Sequence, residues 1–207
     1  MTNANTLDLY GFSVNDRSGK VRWVARELGL GIQEHHLEFG DQRSEDYLAL
    51  NPYASIPAIR WQGEVLTEST ASCVYLAESF PESGLAVFAK ESCRYAYLRW
   101  LSLFAESFEL RLVEYALAGI GIMPAELRAI HGEALKLRCA VLVDELPRSG
   151  FLVGGRFTVA DIVACYSLRL GVSAKLIEFG DIAGYLEPLM ARPAAVEADF
   201  FQSLANL

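Results

Sequence analysis

A change of hydrophobic pattern near Pro81 constrains the fold of this chain more than any other feature of the sequence. Before that proline, short apolar runs of strand character alternate with segments whose apolar residues recur at helical spacing. The pattern predicts the element order βαβαββα, which is one sheet covered by helices. The predicted strands are 7–10, 32–37, 56–61 and 64–66, and the predicted helices are 19–28, 44–50 and 69–79.

Downstream of Pro81 the periodicity is almost entirely helical. One apolar stripe consists of Leu98, Leu101, Ala105, Phe108, Leu112 and Tyr115, and a second of Leu127, Ile130, Ala134, Leu137 and Val141. The segment 159–166 is apolar at nearly every position, which predicts a helix buried on all sides. We therefore predict an α/β domain over 1–80, a linker over 81–90 and an all-α helical bundle over 91–207.

Composition and charge disfavour two classes of partner. The chain has 207 residues, 52% of them hydrophobic, and a net charge of −8. An acidic chain lacks the basic surface that binds nucleic acid or anionic membranes, and no apolar run is long enough to span a bilayer. We expect neither nucleic acid nor a membrane as partner.

The four cysteines and three histidines form no metal-binding pattern. Cys73, Cys93, Cys139 and Cys165 lie in apolar stretches, so we expect reduced thiols that act as small buried hydrophobes. Such cysteines are typical of the reducing cytosol, and the first ten residues have no secretory signal. We expect a cytoplasmic protein without a metal.

Two short segments suit an amino-acid or peptide ligand. If the Ile56–Pro57 bond is cis, the backbone of Ile56 turns out of the sheet and can pair with an extended peptide; a plain trans turn is the alternative. Ser69 is a natural N-cap, whose helix offers free N–H groups to a carboxylate, while Glu68 can take an ammonium. An ordinary capped helix with a solvated glutamate is the alternative there.

A third segment, 13–23, places polar side chains just before the first helix. Ser13, Asn15 and Ser18 carry hydroxyl or amide donors. A thiolate held there would meet both the helix N-terminus and a side-chain hydrogen bond, and each lowers a thiol pKa. A polar loop with a helix cap is the alternative.

These segments, taken in order, resemble a known family. The motifs are ELGL at 27–30, LALNPYASIP at 48–57, LTES at 66–69, FLVGGRFTVAD at 151–161 and MARP at 190–193. Thr158 and Asp161 also fit a capping box. The set is similar to the cytosolic glutathione transferases, which combine an α/β thioredoxin-like N-terminal domain with an all-α helical-bundle C-terminal domain.

The resemblance implies a role for each matching position in binding glutathione. Ile56, before Pro57, would hold the cysteinyl backbone, and Glu68 with Ser69 would hold the γ-glutamyl head. The candidates for the glycyl carboxylate are Gln42 and Arg43, and Ala54 stands where a glycine is usual. The thiol-facing serine of the family corresponds to Asn15, with Ser13 and Ser18 as the alternative hydroxyls.

The resemblance also implies the reaction. Glutathione would be the co-substrate, activated as a thiolate for attack on a small apolar electrophile, as in detoxification, without a metal. The electrophile would lie against the first long helix, with Tyr97, Trp100 and Phe104 as candidate wall residues; core or dimer packing is the alternative for these aromatics. A homodimer is expected. The alternative function is a non-catalytic module of this fold that binds a protein partner.

Overall fold

The computed structural model describes residues 5–13 and 15–205. The chain forms two compact units. The first, called here the sheet unit, consists of Met1–Ala86 and Arg192–Gln202, and the second, the helical unit, consists of Val87–Ala191 and Ser203–Leu207.

The sheet unit has the predicted element order βαβαββα. Its elements are β1 (Thr6–Gly11), α1 (Ser18–Glu27), β2 (Gly31–His36), α2 (Glu45–Leu50), β3 (Ala58–Trp61), β4 (Glu64–Leu66) and α3 (Ser69–Glu78). The strands form one sheet in the order β2-β1-β3-β4, with β1 and β2 parallel and the other pairs antiparallel. The expected α/β thioredoxin-like sheet is confirmed.

The core of this unit lies between the sheet and the helices α1 and α3. Leu7 and Leu9 alternate with less buried residues along β1, as one covered face of a sheet requires. The fully buried side chains of the two helices include Val21 and Val24 of α1 and Leu76 of α3. Burial of these apolar groups, at about 25 cal/mol for each Å² removed from water, is what fixes the helices on the sheet.

The short helix α9 (Pro193–Glu197) also belongs to the sheet unit, although the predicted helical domain, 91–207, includes it. The Arg192 guanidinium donates to both carboxylate oxygens of Glu27 at 2.7 and 2.8 Å. Phe200 packs its ring against Trp23 of α1, with centroids 4.7 Å apart. These contacts place the segment on α1.

The helical unit starts with one long helical stretch. It comprises α4 (Arg94–Ser102), a π-helical segment (Leu103–Glu109) and α5 (Leu110–Gly119), and it is followed by α6 (Glu126–Glu145), α7 (Val159–Ser173) and α8 (Phe179–Met190). The helix α7 is buried along nearly its whole length, as its apolar sequence predicts.

The predicted capping box at the start of α7 is confirmed. The Asp161 carboxylate accepts the N–H of Thr158 at 2.9 Å and the hydroxyl of Tyr185 at 2.9 Å. Burial raises the pKa of Asp161, and these hydrogen bonds oppose that shift. Each donor therefore stabilises a carboxylate that the core would otherwise disfavour.

The apolar face predicted for α6 is wrong. Ile130, Leu137 and Val141 are 67%, 70% and 53% exposed, and the side chains that α6 buries are those of Leu135, Cys139 and Leu142. Both sides of this helix carry apolar residues, so periodicity alone does not select the side that packs.

The first predicted stripe is correct except at one end. Leu98 is 44% exposed, whereas Tyr97 and Leu101 are buried. The π-helical segment, with its wider turn, changes the angular register between α4 and α5, so a stripe counted at one constant period does not fit both halves.

None of the helices in the described part of the chain is both long and apolar enough to cross a membrane.

Candidate functional site

The register of the sheet brings four connecting segments to one end of the sheet unit. Tyr10 pairs with Ala58 and Ile59 pairs with Leu66, so the exit from β1, the entry to β3 and the exit from β4 are neighbours. Because β2 runs parallel to β1, with Gly11 beside His36, the exit from β2 lies at the same end. The residues predicted for the glutathione site all lie on these four segments.

The entry to β3 carries the Ile56–Pro57 bond, which is cis, so the trans turn given as the alternative is wrong. Pro57 is buried and Ile56 is half-buried. Among the described residues, the backbone N–H of Ile56 has no hydrogen-bond acceptor. Ala54, just upstream, has a φ of +52°, a left-handed conformation that explains why glycine suits this position.

Two buried side chains hold this entry segment. The Tyr47 hydroxyl and the Asn51 side-chain amide both donate to the carbonyl of Ser55, each at 2.7 Å. Burial raises the pKa of Tyr47 to about 12, with the negative charge of Asp16 a smaller contribution in the same direction. Tyr47 therefore remains a neutral donor at any physiological pH.

The exit from β4 carries Glu68 and Ser69. Glu68 is exposed, occupies the N-cap position of α3 and has a φ of 62° and a ψ of 98°. Ser69 is buried and is the first helical residue, so its predicted place as the N-cap is wrong. A non-glycine residue in such a conformation costs free energy, about 1–3 kcal/mol, and such residues cluster at ligand sites.

The N-terminus of α3 has unpaired backbone donors. Within the described residues, no acceptor is found for the N–H groups of Ser69, Thr70 and Ala71, and the first intrahelical bond is from Ser72 N–H to the Glu68 carbonyl at 2.8 Å. The Glu68 side chain makes no cap hydrogen bond. Together with the helix dipole, these donors favour an anion.

The loop after β1 is organised by Asp16, a residue that sequence reasoning missed. One oxygen, Oδ2, accepts the N–H groups of Phe12 at 2.6 Å and Ser13 at 2.8 Å, and the other, Oδ1, accepts that of Ser18 at 2.5 Å. The signal was present in the sequence, since an aspartate two positions before a helix commonly bonds to backbone N–H groups.

The N-terminus of α1 is consequently closed. The Ser18 N–H is bonded to the Asp16 carboxylate, the Gly19 N–H to the Asp16 carbonyl at 3.2 Å, and the Lys20 N–H to the Arg17 carbonyl at 3.3 Å. The backbone N–H groups of Ser18, Gly19 and Lys20 are therefore not available to a ligand.

The three candidates for the thiol-facing position differ in accessibility. Ser18 is fully buried, and its hydroxyl donates to the Ser13 carbonyl at 2.9 Å. Ser13 and Asn15 are exposed, and the Ser13 hydroxyl oxygen accepts the Asn15 N–H at 3.1 Å. Asn15 and Ser13 can therefore meet a ligand, while Ser18 supports the loop from inside.

Gln42 and Arg43 lie in a 3₁₀ turn (Asp41–Arg43) between β2 and α2. Gln42 is buried and its amide oxygen accepts the Gly40 N–H at 2.8 Å, whereas Arg43 is exposed. The rings of Phe12 and Phe39, with centroids 5.9 Å apart, join this segment to the loop after β1.

The candidate wall residues for the electrophile lie in the helical unit. Tyr97 and Phe104 are fully buried and Trp100 is nearly so. Trp100 stacks on Phe104 with ring centroids 5.7 Å apart, and the Arg99 guanidinium lies 4.9 Å from the Trp100 ring. The three aromatics lie along α4 and the π-helical segment, and the stack of Trp100 on Phe104 continues to Phe108, with ring centroids 6.0 Å apart.

A metal site was not expected from the sequence. Among residues 5–13 and 15–205, no group of three or more His, Cys, Asp or Glu side chains is placed to hold a metal ion.

The sequence is similar to glutathione S-transferases. The family profile described as "Glutathione S-transferase, N-terminal domain" matches residues 17–79. Glutathione S-transferase 3 of Zea mays is 28% identical over 202 residues, which cover 91% of this chain and 90% of that protein.

The fold is also similar to solved structures of glutathione transferases. A glutathione transferase from Methylococcus capsulatus superposes with a TM-score of 0.81 at 29% identity, over 96% of this chain and 99% of that one. The glutathione transferase URE2P6 from Phanerochaete chrysosporium, solved in complex with oxidized glutathione, superposes with a TM-score of 0.80 at 26% identity, over 96% of each chain.

Proposed function

We propose that this chain, which belongs to the glutathione S-transferase family, is an enzyme that activates the thiol of glutathione for attack on a small apolar electrophile. The observation that carries the proposal is the open N-terminus of α3 with Glu68 beside it, next to the backbone of Ile56. This arrangement matches an amino-acid head group joined to an extended peptide.

The γ-glutamyl head binds at α3. Its carboxylate accepts hydrogen bonds from the N–H groups of Ser69 and Thr70 and from the Ser69 hydroxyl, where the helix dipole adds attraction. Its ammonium pairs with the Glu68 carboxylate. Hydrogen bonds to charged groups contribute about 1.5–3 kcal/mol each, which makes this head the main anchor.

The rest of the tripeptide follows the end of the sheet. The cysteinyl backbone pairs with the backbone of Ile56, as an added strand does. The glycyl carboxylate reaches the turn after β2, where Arg43 offers a positive charge and Gln42 retains two amide N–H donors.

The thiol is stabilised by the side chain of Asn15, with the hydroxyl of Ser13 as the alternative donor. A thiol of pKa about 8.5 is only about 3% ionised at pH 7, and lowering the pKa by about two units requires about 2.7 kcal/mol. One hydrogen bond to the charged sulfur, worth about 1.5–3 kcal/mol, is of that order. The thiolate then forms a C–S bond to the electrophilic carbon, whose leaving group departs with the bonding electrons.

The electrophile is proposed to lie against the aromatic row of Tyr97, Trp100 and Phe104. Aromatic rings suit contact with such a substrate, and Trp100, which stacks on Phe104, is the one of the three with some exposure. Because all three are buried in the helical unit, a substrate that touches them must displace part of their packing.

We also propose that the chain forms a homodimer in the cytoplasm. Ile130, Leu137 and Val141 form an exposed apolar row on α6, and exposed apolar rows of this kind mark interfaces. Leu137 and Val141 also line a groove of about 310 Å³ between α6 and the stretch from α4 to the π-helical segment. Leu137→Asp should convert dimer to monomer in light scattering, whereas Lys136→Asp, one position away, should not. A wild-type monomer would refute this part.

Calorimetry with glutathione and turnover of 1-chloro-2,4-dinitrobenzene test the function together. Binding with turnover supports the proposal. Binding without turnover would favour the non-catalytic module that binds a protein partner. The absence of binding at millimolar glutathione would overturn the proposal.

A further inference from the structure

We propose that Asp16 is the positioning residue of the thiol-facing loop: its carboxylate holds the backbone of Phe12, Ser13 and Ser18 so that Asn15 is presented to the sulfur of bound glutathione. The inference rests on the proposed function and adds to it a residue that does not touch the substrate. Asp16 is half-buried and lies next to the exposed Asn15.

The carboxylate joins the two ends of the loop. Its bonds to the N–H groups of Phe12 and Ser13 hold the exit from β1, and its bond to the N–H of Ser18 holds the start of α1. All three are charge-assisted, and such bonds are roughly twice as strong as neutral ones. Asn15 lies between these two anchors in the sequence, and its own N–H is bonded to the Ser13 hydroxyl oxygen at 3.1 Å.

A second cross-link lies beside the first. The Ser18 hydroxyl donates to the Ser13 carbonyl at 2.9 Å. Gly11 packs so closely that a Cβ there would lie 2.7 Å from the Ser18 side chain and 3.5 Å from Asp16 Oδ2. The exit from β1 and the start of α1 are therefore in direct contact, and the only exposed residues described in the loop are Ser13 and Asn15.

This arrangement also determines which groups can stabilise the sulfur. Because Asp16 and Arg17 occupy the N–H groups of Ser18, Gly19 and Lys20, the first turn of α1 does not supply a backbone donor. The side chains of Asn15 and Ser13 are then the donors proposed to meet the charge on the thiolate. Their placement depends on Asp16.

The test separates placement of the thiol from binding of the tripeptide. Asp16→Ala should lower kcat about 10-fold or more and leave KM for glutathione within about twofold, because the proposed anchors at Ile56, Glu68 and Ser69 lie on other segments. Asp16→Asn keeps an oxygen acceptor for Phe12 and Ser13 but not for Ser18, so it should recover part of kcat.

A matched control comes from the helical unit. Glu91 accepts the Phe88 N–H at 2.7 Å and the Arg156 guanidinium at 2.7 Å, so it is also a carboxylate that holds a loop. Glu91→Ala should lower the melting temperature and leave kcat unchanged. If Asp16→Ala does not fold, a partial loss of kcat at constant KM in Asp16→Asn still supports the inference.

The outcomes that overturn the inference differ from those that overturn the function. A wild-type chain that has no turnover with glutathione refutes the proposed function and this inference with it. A wild-type chain that turns over normally, with wild-type kcat in Asp16→Asn or in a folded Asp16→Ala, refutes the inference alone. The same is true if kcat and KM change together in the Asp16 variants.

Discussion

The two helices α1 and α3 begin at the same end of the sheet, yet their N-termini are built in opposite ways. At α3 the N–H groups of Ser69, Thr70 and Ala71 have no acceptor within the described residues. At α1 the corresponding donors are bonded to the loop itself. The preceding residues account for the difference, since Asp16 folds its carboxylate back onto the backbone whereas Glu68 leaves its own exposed.

The difference shows that a helix N-terminus can either bind an anionic ligand, as a receptor, or support a neighbouring loop. A helix N-terminus attracts an anion only while its N–H groups lack an acceptor. In this chain the receptor is α3, suited to the carboxylate of an amino-acid head. The N-terminus of α1 instead supports a loop whose side chains carry the chemistry.

Closing the N-terminus of α3, as that of α1 is closed, should have the largest effect on glutathione affinity. Ser69→Asp places a carboxylate against the open N–H groups, so it repels the carboxylate of glutathione and competes for its donors. Affinity by calorimetry should fall about 100-fold, or about 2.8 kcal/mol. The helix should be slightly stabilised, because an acidic residue in the first turn favours the dipole.

The control for this prediction is Ser79→Asp, the same substitution at the C-terminal end of α3. It should lower the melting temperature slightly and leave affinity unchanged. Affinity within about threefold of the wild type in Ser69→Asp would contradict the assignment of α3 as the receptor.

A second comparison lies within the loop before α1. Asn15→Ala should lower kcat about 10-fold and raise the apparent pKa of the bound thiol in the rate profile, because the exposed amide no longer donates to the thiolate. Ser18→Ala should lower stability by about 1 kcal/mol through loss of the bond to Ser13 and leave that pKa unchanged. The reverse pattern would identify Ser18 as the thiol contact.

Tyr47→Phe should give the smallest effect. The Ser55 carbonyl loses one of its two donors but keeps Asn51, so stability should fall by about 1 kcal/mol and glutathione affinity by about twofold at neutral pH. The pKa of Tyr47 is raised to about 12 in the folded protein, so its contribution is present below pH 10 and is lost between pH 10 and 12. Urea titrations should show a smaller alkaline loss in the variant; equal losses would contradict this role.

The order of elements was predictable because strand runs, turn residues and helix stops occur in the sequence itself. The face of α6 was not predictable, since Ile130 and Leu137 on one side are as apolar as Leu135 and Leu142 on the other. Only packing against the rest of the helical unit selects between them.

The site was predictable as a set of segments but not as a set of contacts. The motifs identified Ile56, Glu68 and Ser69, and the sheet register brings their segments together. The role of Asp16 depends on a loop that folds back on itself, and the cap position of Glu68 depends on a positive φ. An aspartate two positions before a helix does signal bonds to backbone N–H groups, but the reach of Asp16 back to Phe12 and Ser13 and the positive φ of Glu68 are not visible in the spacing of residues.

The contrast between the two helix N-termini can be measured directly by following backbone amide resonances while glutathione is added to the isotopically labelled protein. We expect large shifts for the N–H groups of Ser69, Thr70 and Ala71, and small ones for Ser18, Gly19 and Lys20. Large shifts confined to the start of α1, with α3 unaffected, would contradict it.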